Sequence, residues 1–203
     1  MTTLVVMAKE CVPGRVKTRL HPPFSLEDAA RIAEASLSDT LALGRAIPVE
    51  RRVLCFAGEH LPVDADGWEI VPQSEGGLDE RIATALDDCA GPTLLIGMDT
   101  PQVRAEHVSR ALASTPPFDA WLGLASDGGF WALGLREPDG DLVRGVPMSR
   151  ADTGDRQLRR LRAAGLRVEA LPVLTDIDTA ESLAAVAGLL PDGQLRRLLA
   201  RAA

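Results

Sequence analysis

Short apolar runs that alternate with alanine- and leucine-rich stretches along the whole chain are its strongest structural constraint. Leu4 to Ala8 is one such run, and Thr93 to Met98, which ends just before Asp99, is the clearest. The other predicted strands are 52–57, 68–72, 120–125, 130–135 and 168–173, and the predicted helices are 25–44, 78–89, 103–113, 153–164 and 180 to the C-terminus with a break at Pro191. Strands that alternate with helices predict an α/β fold with a mainly parallel, helix-covered sheet.

Two of the strand-like runs depart from the parallel pattern. Residues 120–125 and 130–135 flank Asp127-Gly128-Gly129, and such a short connection predicts a β-hairpin. We therefore expect a mixed sheet. The 203 residues suffice for one substantial domain, so residues 1–203 are expected to form a single domain.

Composition excludes several classes of protein. The net charge is −7 and the isoelectric point about 5.0, so we expect the surface to repel nucleic acid. The three cysteines are odd in number and lack metal-ligand spacing, which favours a reducing, cytoplasmic location. No apolar stretch approaches the roughly 18 residues of a membrane span. An anion site in this soluble, acidic chain must be a local concentration of positive charge.

The loop after the first strand, Lys9 to Leu20, has such a concentration. Gly14 allows the backbone to approach a ligand closely, and Arg15, Lys17 and Arg19 place three cations within five residues. Backbone N–H groups together with fixed positive charge bind phosphate groups. A solvated basic loop is the alternative, but ligands of open α/β sheets bind beyond the carboxyl ends of the strands, where this loop is predicted. Neither the Walker loop nor the dinucleotide-binding glycine pattern is present.

Two acidic segments also follow predicted strands. Asp99 stands at the tip of the clearest strand, and Asp176-Ile177-Asp178-Thr179 follows the last one. Magnesium or manganese binds one or two protein carboxylates and completes its shell with phosphate oxygens and water. Two carboxylates on one side of an extended backbone repel each other, and a cation would relieve that repulsion. Helix capping by Asp99, Asp178 or Thr179 is the alternative interpretation.

Two glycine-containing segments are weaker candidates for ligand contact. Asp127-Gly128-Gly129 precedes the aromatic pair Phe130-Trp131, which suits a flat or sugar-like substrate, although a plain hairpin turn explains the spacing as well. Gln73 and the helix start Gly76-Gly77-Leu78-Asp79-Glu80-Arg81 could contact a base or a sugar. No nucleophile elbow and no histidine with a recognisable partner motif supports hydrolase chemistry.

The order of these motifs resembles a known family. Five motifs in the same order, between about Met7 and Leu183, resemble the small bacterial glycosyltransferase-A-like proteins often called selenodomain-associated transferases. They are more distantly similar to the nucleotidyltransferases that act on phospholactate, molybdopterin or sugar phosphates. The chain departs from the usual pattern at Cys11, at Phe130-Trp131 and at Ala180-Glu181-Ser182, where the last change removes an acidic residue near Asp178.

The resemblance implies a three-layer nucleotide-diphospho-sugar transferase fold with a mixed, mostly parallel sheet. It further implies that Mg²⁺ or Mn²⁺ is bound by Asp99 and Asp178. The nucleotide and substrate residues that follow from the motifs are Pro13, Gly14, Arg15, Lys17, Arg19, Gln73, Gly77, Glu80, Asp127, Gly128 and Gly129.

Nucleotidyl transfer from a nucleoside triphosphate to a phosphorylated or anionic small molecule is the favoured hypothesis. In it, Lys17 and Arg15 stabilise the pyrophosphate leaving group and Asp99 holds the metal, so that positioning and charge neutralisation supply the catalysis. Glycosyl transfer from a nucleoside-diphosphate sugar and a non-catalytic nucleotide sensor are the alternatives. The sequence leaves the base, the acceptor and the formation of a homodimer open.

Overall fold

Seven β-strands form one sheet in the computed structural model of the chain, which describes residues 1–112 and 118–202. The strands are β1 (Thr3–Lys9), β2 (Arg51–Ala57), β3 (Glu69–Pro72), β4 (Thr93–Gly97), β5 (Ala120–Ala125), β6 (Phe130–Leu135) and β7 (Val168–Leu174). The helices are α1 (Leu26–Ala46), α2 (Leu78–Asp87), α3 (Ala105–Val108), α4 (Thr153–Ala163), α5 (Ala180–Ala187) and α6 (Gln194–Ala202). Three short 3₁₀ turns cover Thr18–Leu20, Val63–Ala65 and Gly140–Leu142.

The sheet is mixed and mostly parallel, as predicted. Its strand order is β3-β2-β1-β4-β6-β5-β7. β6 runs antiparallel to both of its neighbours, β4 and β5, whereas the pairs β1–β2, β1–β4, β2–β3 and β5–β7 are parallel. The carboxyl ends of six strands therefore lie at one edge of the sheet, and the reversed β6 begins at that same edge.

Helices cover both faces of the sheet because its strands are apolar on both sides. In β1, Leu4 and Val6 pack with α1 residues such as Leu37, whereas Val5 and Met7 pack with the α2 face. Successive side chains of a strand point to opposite faces, so a continuously apolar strand needs a helix on each side. The predicted three-layer α/β fold is confirmed. Among the described residues, none of the helices combines the length and apolar composition that a membrane crossing requires.

The helix predicted at 103–113 is wrong in its beginning and its length. The observed helix, α3, covers only Ala105–Val108, with Arg104 as its N-cap. The Val103 N–H donates to the Thr100 carbonyl over 3.0 Å, and the Gln102 side chain donates to the Thr175 carbonyl over 2.8 Å. This turn is held against the end of β7, so a tertiary contact overrides the local helical pattern. Ala113 lies outside the described residues.

The β5–β6 turn packs on the first residues of α4, and this contact requires glycine. Gly128 has φ of 90°, and a Cβ atom there would lie 1.9 Å from the Ala151 carbonyl oxygen. The Gly154 N–H donates to the Gly128 carbonyl over 2.8 Å. Two backbone segments thus meet directly, and any side chain at position 128 would prevent this contact.

We expect Gly128→Ala to destabilise the fold by about 3 kcal/mol or more, because both the backbone conformation and the Ala151 carbonyl oppose a Cβ atom. Gly145→Ala is the matched control, since Gly145 has φ of 75° and a Cβ atom there would meet no other atom within 4 Å. It should cost only about 1 kcal/mol, from the left-handed backbone alone. Urea-induced unfolding measures both free energies, and equal losses would contradict the packing argument.

Candidate functional site

A cleft of about 540 Å³ opens at the edge of the sheet where the parallel strands end. Its walls come from the ends of β1, β2 and β4, from the beginning of β6 and from α2. Residues that line it include Lys9, Arg15, Gln73, Arg81, Asp99, Thr100, Phe130, Trp131 and Asp176. Ligands of open α/β sheets bind in this position, so the cleft is the candidate functional site.

The basic loop after β1 presents some of its residues to solvent and buries others. Pro13, Gly14, Arg15 and Arg19 are at least partly exposed, and Arg15 lines the cleft. Gly14 has φ of 75°, a left-handed conformation that favours glycine. Lys17 also has a left-handed backbone, at φ 48° and ψ 35°, and its side chain is only 3% exposed. The loop therefore offers Arg15 to a ligand, while Lys17 points into the protein.

The Lys17 ammonium lies between two carboxylates. Its Nζ is 2.7 Å from Asp99 Oδ1 and 2.7 Å from Asp178 Oδ1. Arg19 pairs with the second oxygen of Asp178. Burial alone would lower the pKa of Lys17, but Asp99 and Asp178 raise it above its ordinary value. The lysine is therefore charged and bridges the two acidic segments that the sequence singled out.

Backbone contacts fix the two acidic segments to each other. The Ile177 N–H donates to the Asp99 carbonyl over 3.0 Å, and the Ile177 side chain is fully buried. Thr179 caps α5 in a capping box with Ser182, so capping is the role of Thr179 and not of Asp178. Burial alone would raise the pKa of Asp178, but Lys17 and then Arg19 lower it below its ordinary value.

Asp176 also lines the cleft, and within the described part of the chain it makes no salt bridge. Its Oδ1 is buried and has no hydrogen-bond partner among the described residues. Burial, followed by the negative charges of Asp99 and Asp127, raises the pKa of Asp176 from 3.8 to about 7. The predicted metal pair, Asp99 and Asp178, did not include this residue. The sequence signal that could have identified Asp176 as a ligand is its position just after β7, within the acidic segment that the sequence analysis named.

Asp99 and Asp176, the two aspartates that line the cleft, are a donor set that fits a divalent cation. Asp99 is 39% exposed at its side chain and lines the cleft, as does Asp176 with its unpartnered oxygen. Within the described ranges, no group of three or more histidine, cysteine, aspartate or glutamate residues is arranged as a complete metal site. Two carboxylates suffice for an ion that also binds substrate phosphates and water.

Gln73 and Arg81 form a polar pair at the far wall of the cleft. The Gln73 amide nitrogen donates to the carbonyls of Ala8 and Cys55, over 2.9 Å and 3.2 Å. These two bonds fix the orientation of the amide, and its oxygen lies 3.5 Å from an Arg81 nitrogen. The structure thus places Gln73 and Arg81 in the cleft, and both belong to the segment that the sequence analysis proposed for contact with a base or a sugar.

Gly77 and Glu80 serve the structure of α2. Gly77 is the N-cap of the helix. Glu80 pairs with Arg144 at 3.2 Å, and Arg144 also contacts Asp87 and Asp141. This cluster joins α2 to the Gly140–Leu142 turn. Glu80 is not among the residues that line the cleft.

The Asp127-Gly128-Gly129 segment forms the β5–β6 turn. Asp127 accepts a hydrogen bond from the Gly129 N–H over 2.8 Å, and Gly128 packs on Ala151. The aromatic pair that follows, Phe130 and Trp131, lines the cleft, and the Trp131 indole donates to the Pro172 carbonyl over 2.9 Å. The aromatic pair is therefore the part of this segment within reach of a ligand.

Cysteine chemistry has no support at this site. Burial, followed by the negative charges of Glu34 and Asp99, raises the pKa of the Cys11 thiol to about 12. A thiol with such a pKa stays protonated near neutral pH and is a poor nucleophile.

A protein-family model matches the middle of the chain. The family described as "Uncharacterized protein conserved in bacteria (DUF2064)" matches residues 40–150, which is more than half of the chain. A curated relative, the 2-phospho-L-lactate guanylyltransferase of Methanococcoides burtonii, is 30% identical over 124 residues, or 61% of this chain. The match spans only 56% of the length of that relative. The distant similarity to phospholactate nucleotidyltransferases that the motifs predicted is confirmed.

Solved structures share the fold. The crystal structure of a proposed nucleotide-diphospho-sugar transferase from Desulfovibrio desulfuricans G20 has a TM-score of 0.87 at 24% identity, covering 98% of this chain and 94% of that one. The Rv0371c protein of Mycobacterium tuberculosis H37Rv, in complex with manganese, has a TM-score of 0.54 at 22% identity, covering 91% and 97%. At identities this low, the structural similarity shows the fold alone, and that fold is the one of the nucleotide-diphospho-sugar transferases.

The raised pKa of Asp176 predicts a pH-dependent stability in metal-free protein. Because its folded pKa of about 7 exceeds the ordinary 3.8, the folded state binds the proton more tightly, and ionisation destabilises the fold as the pH rises from about 4 to about 7. Asp176→Asn removes this penalty. We expect the variant to be more stable than the wild type by about 2–4 kcal/mol at pH 8, and about equal to it at pH 4.

Urea-induced unfolding with EDTA, at both pH values, measures the difference. Asp192→Asn is the control, since its side chain is 95% exposed and should alter stability equally at the two pH values. A gain from Asp176→Asn that is the same at pH 4 and pH 8 would contradict the assigned shift.

Proposed function

The chain belongs to the DUF2064 family of bacterial proteins, and from this premise we propose that it is a metal-dependent nucleotidyltransferase. It would transfer a nucleotidyl group from a nucleoside triphosphate to a phosphorylated or anionic small molecule and release pyrophosphate. One observation carries the proposal: exposed Arg15 and the carboxylates Asp99 and Asp176 line the same cleft. A metal–triphosphate complex needs both, because its phosphates attract cations and its metal attracts carboxylates.

The activity of the curated relative supports nucleotidyl transfer over other reactions of this fold. That relative is a guanylyltransferase, and it is 30% identical over the matched segment. The identity of the base and of the acceptor is not carried over from it.

The nucleotide would lie across the cleft from the Gln73 wall to the basic loop. We place the base near Gln73, Arg81 and the Gly77 end of α2, where the fixed amide and the guanidinium offer an acceptor and donors. The phosphates would then extend to Pro13, Gly14 and Arg15. Arg15 is exposed and lines the cleft, so it is the cation best placed to bind charge that develops on the leaving pyrophosphate.

A divalent ion would be held by Asp99 and Asp176. The sequence placed it between Asp99 and Asp178, but Asp178 contacts Lys17 and Arg19 through its two oxygens, whereas the buried oxygen of Asp176 lacks a partner among the described residues. A manganese complex is known for the Rv0371c protein, which shares the fold. When bound, Mg²⁺ or Mn²⁺ would supply charge neutralisation at the phosphates.

The acceptor would approach from the side of Phe130 and Trp131. Attack of an acceptor oxygen on the α-phosphorus forms a new P–O bond, which is a phosphoanhydride bond for a phosphorylated acceptor. The bond between the α-phosphorus and the oxygen that bridges it to the β-phosphorus breaks as pyrophosphate leaves. The pKa of Asp176 is raised to about 7 without a cation, and a cation held there would lower it, so that Asp176 would lose its proton on metal binding.

Glycosyl transfer from a nucleoside-diphosphate sugar is the second candidate. It is favoured by the similarity in fold, at a TM-score of 0.87, to a proposed nucleotide-diphospho-sugar transferase. The same metal and loop would hold its diphosphate. A third candidate, a non-catalytic nucleotide sensor, would use the cleft for binding alone.

An assay of released products distinguishes these functions. The protein is incubated with each nucleoside triphosphate, Mg²⁺ or Mn²⁺ and a pool of phosphorylated metabolites, and pyrophosphate is measured. Pyrophosphate release that requires an acceptor supports nucleotidyl transfer. Release of a nucleoside diphosphate from its sugar conjugate supports glycosyl transfer, and nucleotide binding without either product supports a sensor.

We expect Asp99→Asn and Asp176→Asn each to lower metal-dependent turnover at least about 100-fold, because each would lose a negatively charged metal ligand. Both variants should unfold cooperatively in urea, which separates loss of activity from loss of fold. Asp192→Asn, on the exposed surface near α6, is the control and should keep wild-type turnover. Normal turnover in Asp99→Asn would rule out the proposed metal site.

A further inference from the structure

The cation that joins Asp99 to Asp178 belongs to the protein itself. The Lys17 ammonium contacts one oxygen of each carboxylate at 2.7 Å. The lysine side chain is 3% exposed, compared with 39% for Asp99 and 34% for Asp178. It is therefore the most enclosed charge of the group, and it fills the gap between the two acids.

Neighbouring contacts hold Lys17 in this place. Its backbone carbonyl accepts a hydrogen bond from the Leu20 N–H over 2.9 Å. Val16 and Leu20, close to it in the chain, are both fully or almost fully buried. The backbone around the lysine is thus anchored, and the ammonium can reach solvent only if its pairs with both carboxylates break.

A divalent ion and this ammonium cannot bridge the same two oxygens. Mg²⁺ or Mn²⁺ binds carboxylate oxygens at about 2.0–2.2 Å, so an ion shared by Asp99 Oδ1 and Asp178 Oδ1 would overlap the volume of Nζ. The two positive charges would also repel each other strongly at that separation. The gap therefore holds either the lysine or the metal.

We propose that Lys17 is a resident counter-ion that excludes a divalent cation from between Asp99 and Asp178, so that the ion is left with the two aspartates that line the cleft, Asp99 and Asp176. Lys17 is then a positioning residue. It fixes Asp99 through Oδ1, so that this carboxylate keeps one orientation toward the cleft, and phosphate contact falls to the exposed Arg15. The inference rests on the proposed function for the native metal, but the exclusion itself can be tested without a nucleotide or turnover.

The test is a titration of nucleotide-free protein with Mn²⁺, in which electron paramagnetic resonance measures the concentration of the free ion. We expect Lys17→Met to bind Mn²⁺ at least about tenfold more tightly than the wild type, because the change removes a competing charge and releases an oxygen of Asp178 as an additional ligand. Binding by Lys17→Met that is no tighter than wild type would overturn the proposal.

Two further variants separate exclusion from a general effect of charge. Arg19→Met removes the same charge from Asp178 but leaves Lys17 in the gap, and it should change the Mn²⁺ affinity by no more than about threefold. The double variant Lys17→Met/Asp178→Asn should lose the gain of the single variant, because the second carboxylate is gone. A gain that persists in the double variant, or an equal gain in Arg19→Met, would contradict the proposal.

Thermal unfolding keeps the test decisive if the buried methionine impairs folding. Lys17→Met, or Lys17→Gln in its place, leaves Asp99 and Asp178 without the cation that they share. In EDTA, the Tm of the variant should therefore lie below that of the wild type. On addition of Mn²⁺, the Tm of the variant should rise by at least about 4 °C more than that of the wild type. An equal rise in both proteins would count against exclusion. If only the Lys17 variants bind Mn²⁺, the exclusion stands and the proposed Asp99–Asp176 site fails.

Discussion

A single ammonium between two carboxylates joins three segments of the chain next to the cleft. Lys17 comes from the loop after β1, Asp99 from the end of β4 and Asp178 from the segment after β7. Charges removed from water are costly unless each meets an opposite charge at close range, and here both contacts are 2.7 Å long. This bridge holds the three segments together without a ligand, and Asp99 carries that fixed position into the lining of the cleft.

Sheet topology explains why these segments meet. Parallel strands end at the same edge of the sheet, so loops far apart in the chain become neighbours there. The reversed strand β6 adds its first residues, Phe130 and Trp131, to that edge, and the hairpin that reverses the chain depends on Gly128. The glycine that the fold requires, Gly128, and the aromatic residues that line the cleft, Phe130 and Trp131, thus belong to the same motif. Sequence alone did not separate these two roles.

The charges of the cleft are arranged unevenly. Asp178 is neutralised by Lys17 and Arg19, whereas Asp176 has a buried oxygen without a partner among the described residues. The cleft is therefore lined by the carboxylates Asp99 and Asp176 and by the cation Arg15 from the loop. A metal–phosphate complex contains both signs of charge, and this distribution matches it better than either a bare phosphate or a bare cation would.

The sequence by itself determined the α/β class, the hairpin and the position of nearly every element, because hydrophobic periodicity, capping residues and glycines are local properties of the chain. It also determined that the basic loop, Asp99 and the Asp176–Asp178 segment meet, because strand ends gather at one edge. Tertiary structure alone decided which charge contacts which: Lys17 lies 161 residues from its partner Asp178, and Glu80 lies 64 residues from Arg144. It likewise shortened α3 through the contact of Gln102 with Thr175. Such pairings depend on distances of a few ångströms between remote segments, and no local pattern encodes them.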